Sequence, residues 1–392
     1  MISVTDALHS ISSQELDPKE EQRSVVEALG ATLSKDVYSP IDMPPFRQSA
    51  MDGYALRHSN DMNYRLVDES QAGNDASPKM SARDVVRIFT GALVPDDADT
   101  VVMQEHVQAN GEEVSVQKMP KSFSNIREKG EQIEEGGLAL AKGTQINAAA
   151  VGFLSGLGIE DVSVYQKPKV GVLITGNELQ SVGAPLKKGC IYESNSSLLK
   201  AALRQTGVSD IEMLSVLDDL QSTKEAVKEL LDKSDILLVS GGISVGDYDF
   251  VKEALIHNNV EEVFYKVNQK PGKPLWFGKK ASKFVYALPG NPASVLTCFY
   301  IYVYPMLQRW MTGQSFSSEH ILAKCTSGVA NKSGKTLFLK AILNKDGSVS
   351  PQGGQSSAMM HTYALSNVLI CVPEGKKQVH EGEEVECIKL PL

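Results

Sequence analysis

The alternation of apolar runs and helical segments between residues 169 and 290 constrains the fold of this chain more than any other feature. Four apolar runs, KVGVLITG, IEMLSVLD, DILLVSGG and FVYALPG, are separated by stretches with helical character. Residues 236–239 are continuously apolar, as expected for a strand buried on both faces of a parallel sheet. The pattern predicts a doubly wound α/β domain. Its helices are expected after Ser194–Asn195, over residues 222–231, up to His257, and along an apolar stretch ending at Trp310.

Glycine loops follow the predicted strands. They are Thr175-Gly176-Asn177-Glu178, Ser240-Gly241-Gly242, Pro271-Gly272-Lys273-Pro274 and Leu288-Pro289-Gly290-Asn291-Pro292. In an open parallel sheet ligands bind at the carboxyl ends of the strands, where backbone amides can meet phosphates. Together the loops predict a multi-phosphate or nucleotide site. For the 240–250 loop taken alone, the alternative is a tight turn without a ligand, in which Asp247 caps a helix that begins near Asp249.

Charged residues near these loops suggest how an anion would be held. Glu178, Asp218 and Asp249 follow the predicted strands, and carboxylates beside phosphates repel them unless a hard cation such as Mg²⁺ lies between. The alternative is that Asp218 and Asp249 only cap helices. Lys270 and Lys273 flank a rigid Pro-Gly corner and suit a phosphate or oxyanion, although a solvated surface is the ordinary environment of a lysine.

The N-terminal third has a different pattern. Residues 4–33 predict two helices, the second beginning at Asp17 and Pro18 and ending near Gly30. Residues 39–56 are stiffened by prolines and turn at Asp52–Gly53, which indicates either a hairpin corner or a preformed binding loop.

Short runs of alternating apolar and polar residues from 64 to 116 predict a small antiparallel β domain, inserted into the helical N-terminal region. A helix capped by Asn147 follows. After Gly313 further short β runs predict a β-barrel-like domain. A chain of 392 residues exceeds one hydrophobic core, so several domains are expected.

Composition excludes several classes of protein. A formal net charge of −9 disfavours a nucleic-acid partner. Five scattered cysteines without a C-x-x-C pair fit a reducing compartment and no zinc knuckle. The N-terminus lacks a signal-peptide pattern, and the longest apolar run, residues 295–307, is short and contains Pro305. We therefore expect a cytoplasmic protein without a membrane partner. The VANKSGKT stretch has the wrong glycine spacing for a P-loop.

A set of motifs resembles the molybdopterin molybdenumtransferase family, which includes MoeA and the gephyrin E-domain. In chain order they are SAMDGYA (49–55), FTGA (89–92), NIREKGE (125–131), TGNEL (175–179), YESN (192–195), SGGISVGDYD (240–249), PGKP (271–274) and LPGNPAS (288–294). The resemblance extends over about the whole chain, and the combination is specific.

The resemblance implies an elongated four-domain homodimer with its active site in a cleft between the α/β domain of one subunit and parts of the other. The implied domains are I (1–22, 40–48 and 134–167), an inserted β domain II (23–39 and 49–133), an α/β molybdopterin-binding domain III (168–313) and a C-terminal β-barrel domain IV (314–392). The implied reaction converts adenylylated molybdopterin and molybdate to molybdenum cofactor and AMP, with Mg²⁺. Possible partners are the adenylyltransferase and acceptor molybdoenzymes.

Residue roles follow from the matching positions. Glu178, Asp218 and Asp249 would be the acidic, metal-linked residues, with Asp249 preferred to Asp247. Lys270 and Lys273 would hold phosphate or molybdate, and Asp52 and Thr90 would line the site from the N-terminal part. The pterin phosphate and adenylate would be bound by Thr175, Gly176, Asn177, Ser194, Asn195, Ser240, Gly241, Gly242, Pro289, Gly290 and Asn291.

Some positions depart from the family pattern. Gln132 stands where an aspartate is usual, and Lys335 and Lys340 stand where arginines are usual. Lysine lacks the bidentate fork that arginine offers an oxyanion. The loop at residues 355–362 aligns poorly and is given no role. Two rival functions are a pterin adenylyltransferase, which lacks the flanking β domains, and a non-catalytic scaffold or degenerate paralogue.

Overall fold

The computed structural model describes residues 1–75, 77–243 and 250–391. The chain divides into two compact units, Gln22–Val164 and the combination of Met1–Glu21 with Tyr165–Leu392. Asp247 and Asp249 lie outside the described residues, so the helix cap and the metal role predicted for them stay predictions. The division into four domains is also a prediction that this partition does not test.

Where the structure describes it, the first part of the chain contains two α-helices, a short 3-10 helix at Gln104–His106 and many short strands. The elements up to residue 165 are α1 Val4–Ser12, β1 Glu20–Ser24, β2 Val37–Tyr38, β3 Gln48–Ser49, β4 Gly53–Leu56, β5 Asn63–Ser70, β6 Asp84–Ile88, β7 Thr100–Met103, β8 Val107–Asn110, β9 Glu113–Val116, β10 Ile126–Arg127, β11 Leu138–Leu140, α2 Ala148–Gly156 and β12 Asp161–Tyr165.

The predicted inserted β domain is present in the Gln22–Val164 unit. Its sheet has the order β7-β4-β6-β5-β9-β8, and its pairs are antiparallel except for the parallel pair β5–β6. Apolar side chains cover both faces, with Ala55 and Ile88 in one cluster and Leu56 and Val85 in another. The alternating sequence pattern therefore identified the sheet but not the direction of one pair.

Two local predictions in this part are wrong. The second helix expected between Asp17 and Gly30 is absent, because Glu20–Ser24 is a strand and turns follow it; Val25 N donates to Glu160 O at 2.8 Å. The Asp52–Gly53 turn is not a hairpin corner, because the strands that flank it have different partners: β3 pairs with β10, and β4 with β6 and β7.

The cap predicted for the next helix is confirmed. Asn147 precedes α2, and its Oδ1 accepts from Ala150 N at 2.9 Å, which satisfies one of the free N–H groups of the first turn.

The α/β part follows the predicted alternation. Its elements are β13 Val170–Thr175, β14 Leu179–Gln180, β15 Ile191–Tyr192, α3 Asn195–Gln205, β16 Ile211–Val216, α4 Leu220–Lys233, β17 Ile236–Ser240, α5 Val251–His257, β18 Glu261–Tyr265, β19 Gln269–Lys270, β20 Trp276–Lys280, β21 Lys283–Leu288, α6 Pro292–Cys298, a π-helical turn Phe299–Val303 and α7 Tyr304–Thr312.

The central sheet has the order β16-β13-β17-β21-β20-β18. The first four strands are parallel, and β20 and β18 add an antiparallel edge that the sequence pattern did not predict. Every residue of β13 and β17 is buried, as the apolar runs predicted. Because these strands are parallel, their carboxyl ends lie at one edge of the sheet, where the glycine loops follow.

The predicted C-terminal barrel is confirmed. Its elements are β22 His320–Cys325, β23 Val329–Ala330, β24 Thr336–Leu343, β25 Ser348–Pro351, α8 His361–Ala364, β26 Val368–Val372, β27 Gln378–Val379 and β28 Glu384–Lys389. The sheet order β19-β24-β25-β22-β28-β26 closes through an additional β24–β26 pairing, which removes the exposed edges.

The barrel and the α/β part share a hydrophobic core. Phe338 and Ile388 of the barrel belong to the same buried cluster as Phe299 and Tyr302. No helix in the described ranges combines the length and apolar character that a membrane span requires.

Candidate functional site

A cavity of about 440 Å³ lies at the carboxyl ends of β13, β17 and β21. Every residue predicted to bind the pterin phosphate and adenylate lines it except Asn177, and Glu178 and Asp218 line it as well. Leu179, Tyr192, Glu193 and Pro274 also line it and were not predicted as site residues; Tyr192 and Glu193 belong to the YESN motif, which was the available signal. All four glycine loops thus contribute to one cavity, the 271–274 loop through Pro274 alone.

Gly241 and Gly242 let the chain turn closely around Thr175. Their φ angles are +99° and +58°, in the region that L side chains rarely adopt. A Cβ on Gly241 would lie 2.4 Å from Thr175 O, and one on Gly242 would lie 2.9 Å from Thr175 Oγ1. Glycine at these positions is therefore required by the close approach of the two strand ends, whatever the ligand.

Asn195 ties the loops together across the cavity. Its Nδ2 donates to Ser240 Oγ at 3.0 Å and to Gly290 O at 2.7 Å. Asn195 Oδ1 and Thr175 Oγ1 are buried and have no hydrogen-bond partner in the described part of the chain. A buried polar atom without a partner costs free energy, so both atoms indicate that the cavity receives a polar ligand.

Asp218, which was predicted to bind a metal ion, makes different contacts from its neighbour Asp219. Asp218 and Asn177 bridge the loops reciprocally: Asn177 N donates to Asp218 Oδ2 at 3.2 Å, and Asp218 N donates to Asn177 Oδ1 at 3.0 Å. Asp219 caps α4, because its Oδ1 accepts from Ser222 N at 2.8 Å, and this hydrogen bonding lowers the pKa of Asp219. The alternative that Asp218 only caps a helix is therefore wrong.

Glu178 and Asp218 supply hard oxygen donors to the same cavity. Among residues 1–75, 77–243 and 250–391, no group of three or more His, Cys, Asp or Glu side chains is arranged to hold a metal ion. The third predicted ligand, Asp249, lies outside these ranges.

Lys270 and Lys273 are exposed on a loop whose backbone is hydrogen-bonded to a buried side chain. The buried Gln269 donates through Nε2 to Pro271 O at 3.0 Å and to Gly272 O at 3.3 Å, and Tyr302 donates to Gln269 Oε1. Neither lysine lines the cavity, although Pro274 of the same loop does. Their role as phosphate or molybdate ligands stays a prediction.

Asp52 and Thr90 lie in the Gln22–Val164 unit, where the structure brings them into contact. Asp52 Oδ1 accepts from Thr90 N and from Thr90 Oγ1, each at 2.7 Å, and these bonds lower the pKa of Asp52. The carboxylate is therefore kept ionised to lower pH than usual, which suits a polar site. That the pair contributes to substrate binding stays a prediction.

Two features of the C-terminal barrel were not predicted. Lys340 is 4% exposed, and its Nζ donates to Gly354 O, Ser356 O and Met359 O at 2.9, 3.3 and 2.8 Å. Its three N–H donors are thus engaged, which argues against the expected contact with an oxyanion. The loop that received no role approaches the cavity: Asn291 Nδ2 donates to Ser357 Oγ at 3.2 Å.

Comparison with known proteins gives matches along the whole chain. The family description "MoeA N-terminal region (domain I and II)" matches residues 2–158, "Probable molybdopterin binding domain" matches residues 171–309, and "MoeA C-terminal region (domain IV)" matches residues 323–390. The chain is 34% identical to a molybdopterin molybdenumtransferase of Haemophilus influenzae, covering 93% of this chain and 92% of the relative. It is 29% identical to the enzyme of that name in Bacillus subtilis, covering 99% and 94%.

The fold has close counterparts among solved structures. Two crystal structures of the molybdopterin biosynthesis MoeA protein of Pyrococcus horikoshii match with TM-scores of 0.87 and 0.81, at 29% and 26% identity. The first match covers 99% of each chain and the second covers 100% of each.

Proposed function

We propose, from the premise that this chain belongs to the molybdopterin molybdenumtransferase (MoeA) family, that it inserts molybdenum into adenylylated molybdopterin, so that this substrate and molybdate give molybdenum cofactor and AMP. The chain is a transferase with a role in molybdenum cofactor biosynthesis. The finer proposal is supported chiefly by one observation: glycine loops, two carboxylates and two buried polar atoms that have no hydrogen-bond partner among the described residues meet in a single cavity.

The geometry suits a ligand with a phosphoanhydride. Close turns at Gly241 and Gly242 and the cavity-lining Gly176 and Gly290 leave backbone groups accessible without Cβ atoms, as phosphate sites require. Thr175 Oγ1 and Asn195 Oδ1 can exchange hydrogen bonds with hydroxyl or amide groups of the ligand. Holding the substrate at several points fixes the bond to be broken relative to the attacking oxygen, which lowers the entropic part of the barrier.

Magnesium is part of the proposal. Glu178 and Asp218 fit the hard oxygen ligands that Mg²⁺ prefers, and we propose that Asp249 completes the set. When bound, Mg²⁺ would neutralise charge on the phosphate oxygens. The reciprocal bonds between Asn177 and Asp218 fix the direction of the Asp218 carboxylate before any ion arrives.

The remaining expectations from the family resemblance belong to the same proposal. We expect a cytoplasmic homodimer in which Asp52, Thr90, Lys270 and Lys273 contribute to substrate binding, with acceptor molybdoenzymes and the adenylyltransferase as transient partners. The adenylyltransferase alternative is disfavoured because the matches to the MoeA N-terminal and C-terminal regions lie on both sides of the α/β domain.

The proposal predicts AMP release. Purified protein with adenylylated molybdopterin, molybdate and Mg²⁺ should release AMP and should yield product that activates an apo-molybdoenzyme. Omitting molybdate or adding EDTA should prevent both results. Binding of the substrate without AMP release under any of these conditions would favour the scaffold alternative instead.

A further inference from the structure

Lys340 is a buried cation that the proposed reaction does not use. It lies in β24 of the barrel, and burial lowers the pKa of its ammonium group. An isolated buried ammonium is costly, yet here backbone carbonyls of Gly354, Ser356 and Met359 accept all three donors. All three donors thus bind carbonyls of one short segment, the 354–359 loop. The ammonium group therefore anchors this loop and is not an ordinary exposed charge.

The main chain of Lys340 holds the same loop. Lys340 N donates to Gln355 Oε1 at 3.0 Å, and Gln355 Nε2 donates to Lys340 O at 2.9 Å. Thr362 Oγ1 adds a bond to Gly354 O at 3.2 Å. Gly354 has a φ of +68°, and a Cβ there would lie 2.6 Å from Met359 Sδ, so the loop is wound tightly around the ammonium group.

The 354–359 loop in turn contacts the cavity. Ser357 accepts from Asn291 Nδ2 through Oγ at 3.2 Å, and from Ala293 N through its carbonyl at 3.1 Å. Asn291 lines the cavity and precedes α6. Lys340 is therefore linked to a residue of the binding site by its hydrogen bonds to the loop, by the loop backbone around Ser357, and by the hydrogen bond between Ser357 and Asn291.

We propose that Lys340 is a positioning residue: its ammonium group fixes the 354–359 loop, and the loop fixes Asn291 at the edge of the cavity. The inference rests on the proposed function for its kinetic consequence, but its structural part stands without it. It also gives a role to a lysine where the family pattern has arginine, since either side chain can donate several hydrogen bonds to carbonyls.

The test compares Lys340→Met, which keeps the length and apolar stem but removes the donors, with Lys340→Arg, which keeps charge and donors. Lys324→Met is the matched control, because Lys324 is an exposed lysine on barrel strand β22. Hydrogen exchange of the ligand-free protein is followed in peptides covering residues 352–360 and 289–295. Steady-state kinetics give kcat and KM for adenylylated molybdopterin.

We expect Lys340→Met to accelerate exchange in both segments and to raise KM roughly 10-fold with a smaller change in kcat, since a small displacement of a binding group is costly. Lys340→Arg should restore most of both properties, and Lys324→Met should match wild type. Ser357→Ala should raise KM while leaving exchange of residues 352–360 unchanged, and its effect should largely disappear in the Lys340→Met background.

Exchange of Lys340→Met equal to wild type in both segments would overturn the inference, as would independent, multiplicative effects of Lys340→Met and Ser357→Ala on KM. If Lys340→Met does not fold, Ser357→Ala decides: unchanged KM and unchanged exchange at 289–295 overturn the inference. Absence of AMP release by wild type would refute the proposed function and leave the exchange result to decide the role of Lys340.

Discussion

Two adjacent aspartates divide two tasks at the end of β16. Asp219 caps α4, whereas Asp218 faces the cavity and bridges to Asn177. The division follows from backbone geometry, because the cap must have an extended conformation and direct its oxygen to the N–H groups of the first turn. The preceding residue then points away from the helix toward the loop that follows β13.

This division predicts a loss of activity for Asp218→Asn and no change for the same substitution at Asp219. Asp218→Asn retains an oxygen that can accept from Asn177 N, so thermal stability should stay near wild type. Loss of the charge should reduce Mg²⁺-dependent AMP release roughly 100-fold, because a metal clamp contributes several kcal/mol to the transition state. The Mg²⁺ concentration for half-maximal activity should rise in the same variant.

Asp219→Asn is the matched control, since asparagine and aspartate cap helices about equally well. It should leave both AMP release and the Mg²⁺ requirement unchanged. A Asp218→Asn enzyme that keeps its activity but loses stability would contradict the metal role and assign Asp218 to loop structure alone.

At the scale of elements, the close approach of β13 and β17 determines the shape of the cavity. The two strands are adjacent and parallel, and the chain after β17 passes so near the end of β13 that only glycine fits at Gly241. The π-helical turn Phe299–Val303, buried throughout, continues α6 into α7 below the same sheet. The ligand loops thus rest on fully packed elements.

Gly241→Ala should therefore damage the fold at this edge. Its φ of +99° and the 2.4 Å approach of a Cβ to Thr175 O force a backbone shift, and such strain costs on the order of 1–3 kcal/mol. Thermal denaturation should show a lowered Tm, and substrate affinity should fall.

Gly290→Ala provides the comparison for stability. The nearest atom to a Cβ there is Gly241 Cα at 3.8 Å, an ordinary contact, so the Tm should stay close to wild type even if the added methyl group interferes with the ligand. Equal Tm losses in the two variants would show that close approach is not the reason for glycine at position 241.

At the scale of the whole molecule, the barrel and the α/β part are joined by a common hydrophobic core. They share a buried cluster, and β19 of the α/β part pairs with β24 of the barrel. A hydrogen bond between Asn291 and Ser357 also joins the two parts. Separating the barrel would therefore expose apolar surface and remove a support of the cavity.

A substitution in the barrel should consequently destabilise the α/β part. Phe338→Ala removes a side chain that is 2% exposed in the shared cluster and should cost about 3–5 kcal/mol. Both tryptophans of the chain, Trp276 and Trp310, lie in the α/β part, so their fluorescence reports on that part alone. In denaturant titration of Phe338→Ala, the fluorescence transition should shift to lower denaturant concentration together with the circular-dichroism transition.

Leu322→Ala is the surface control, because Leu322 lies in barrel strand β22 and is 66% exposed. It should leave both transitions in place. An unshifted fluorescence transition in Phe338→Ala, with only the circular-dichroism transition moved, would mean that the barrel unfolds on its own.

Local patterns in the sequence were sufficient to predict much of the fold and the positions of most loops around the cavity. Continuous apolar runs predicted buried parallel strands, and turns ending in glycine predicted where the ligand loops lie, because burial on two faces and positive φ angles each demand particular residue types. The same reasoning found the barrel and the Asn147 cap. It also identified nearly all of the loops that line the cavity, since parallel strands must end at one edge of the sheet.

Only the tertiary structure decided the features that depend on distant partners. Glu20–Ser24 is a strand despite a good helix-start signal, and β18 and β20 extend the sheet, because strand pairing is a non-local choice that propensity does not encode. Which of two neighbouring aspartates faces the cavity depended on the backbone direction at a helix start. The burial of Lys340 depended on carbonyls of Gly354, Ser356 and Met359, which lie 14 to 19 residues away in the sequence.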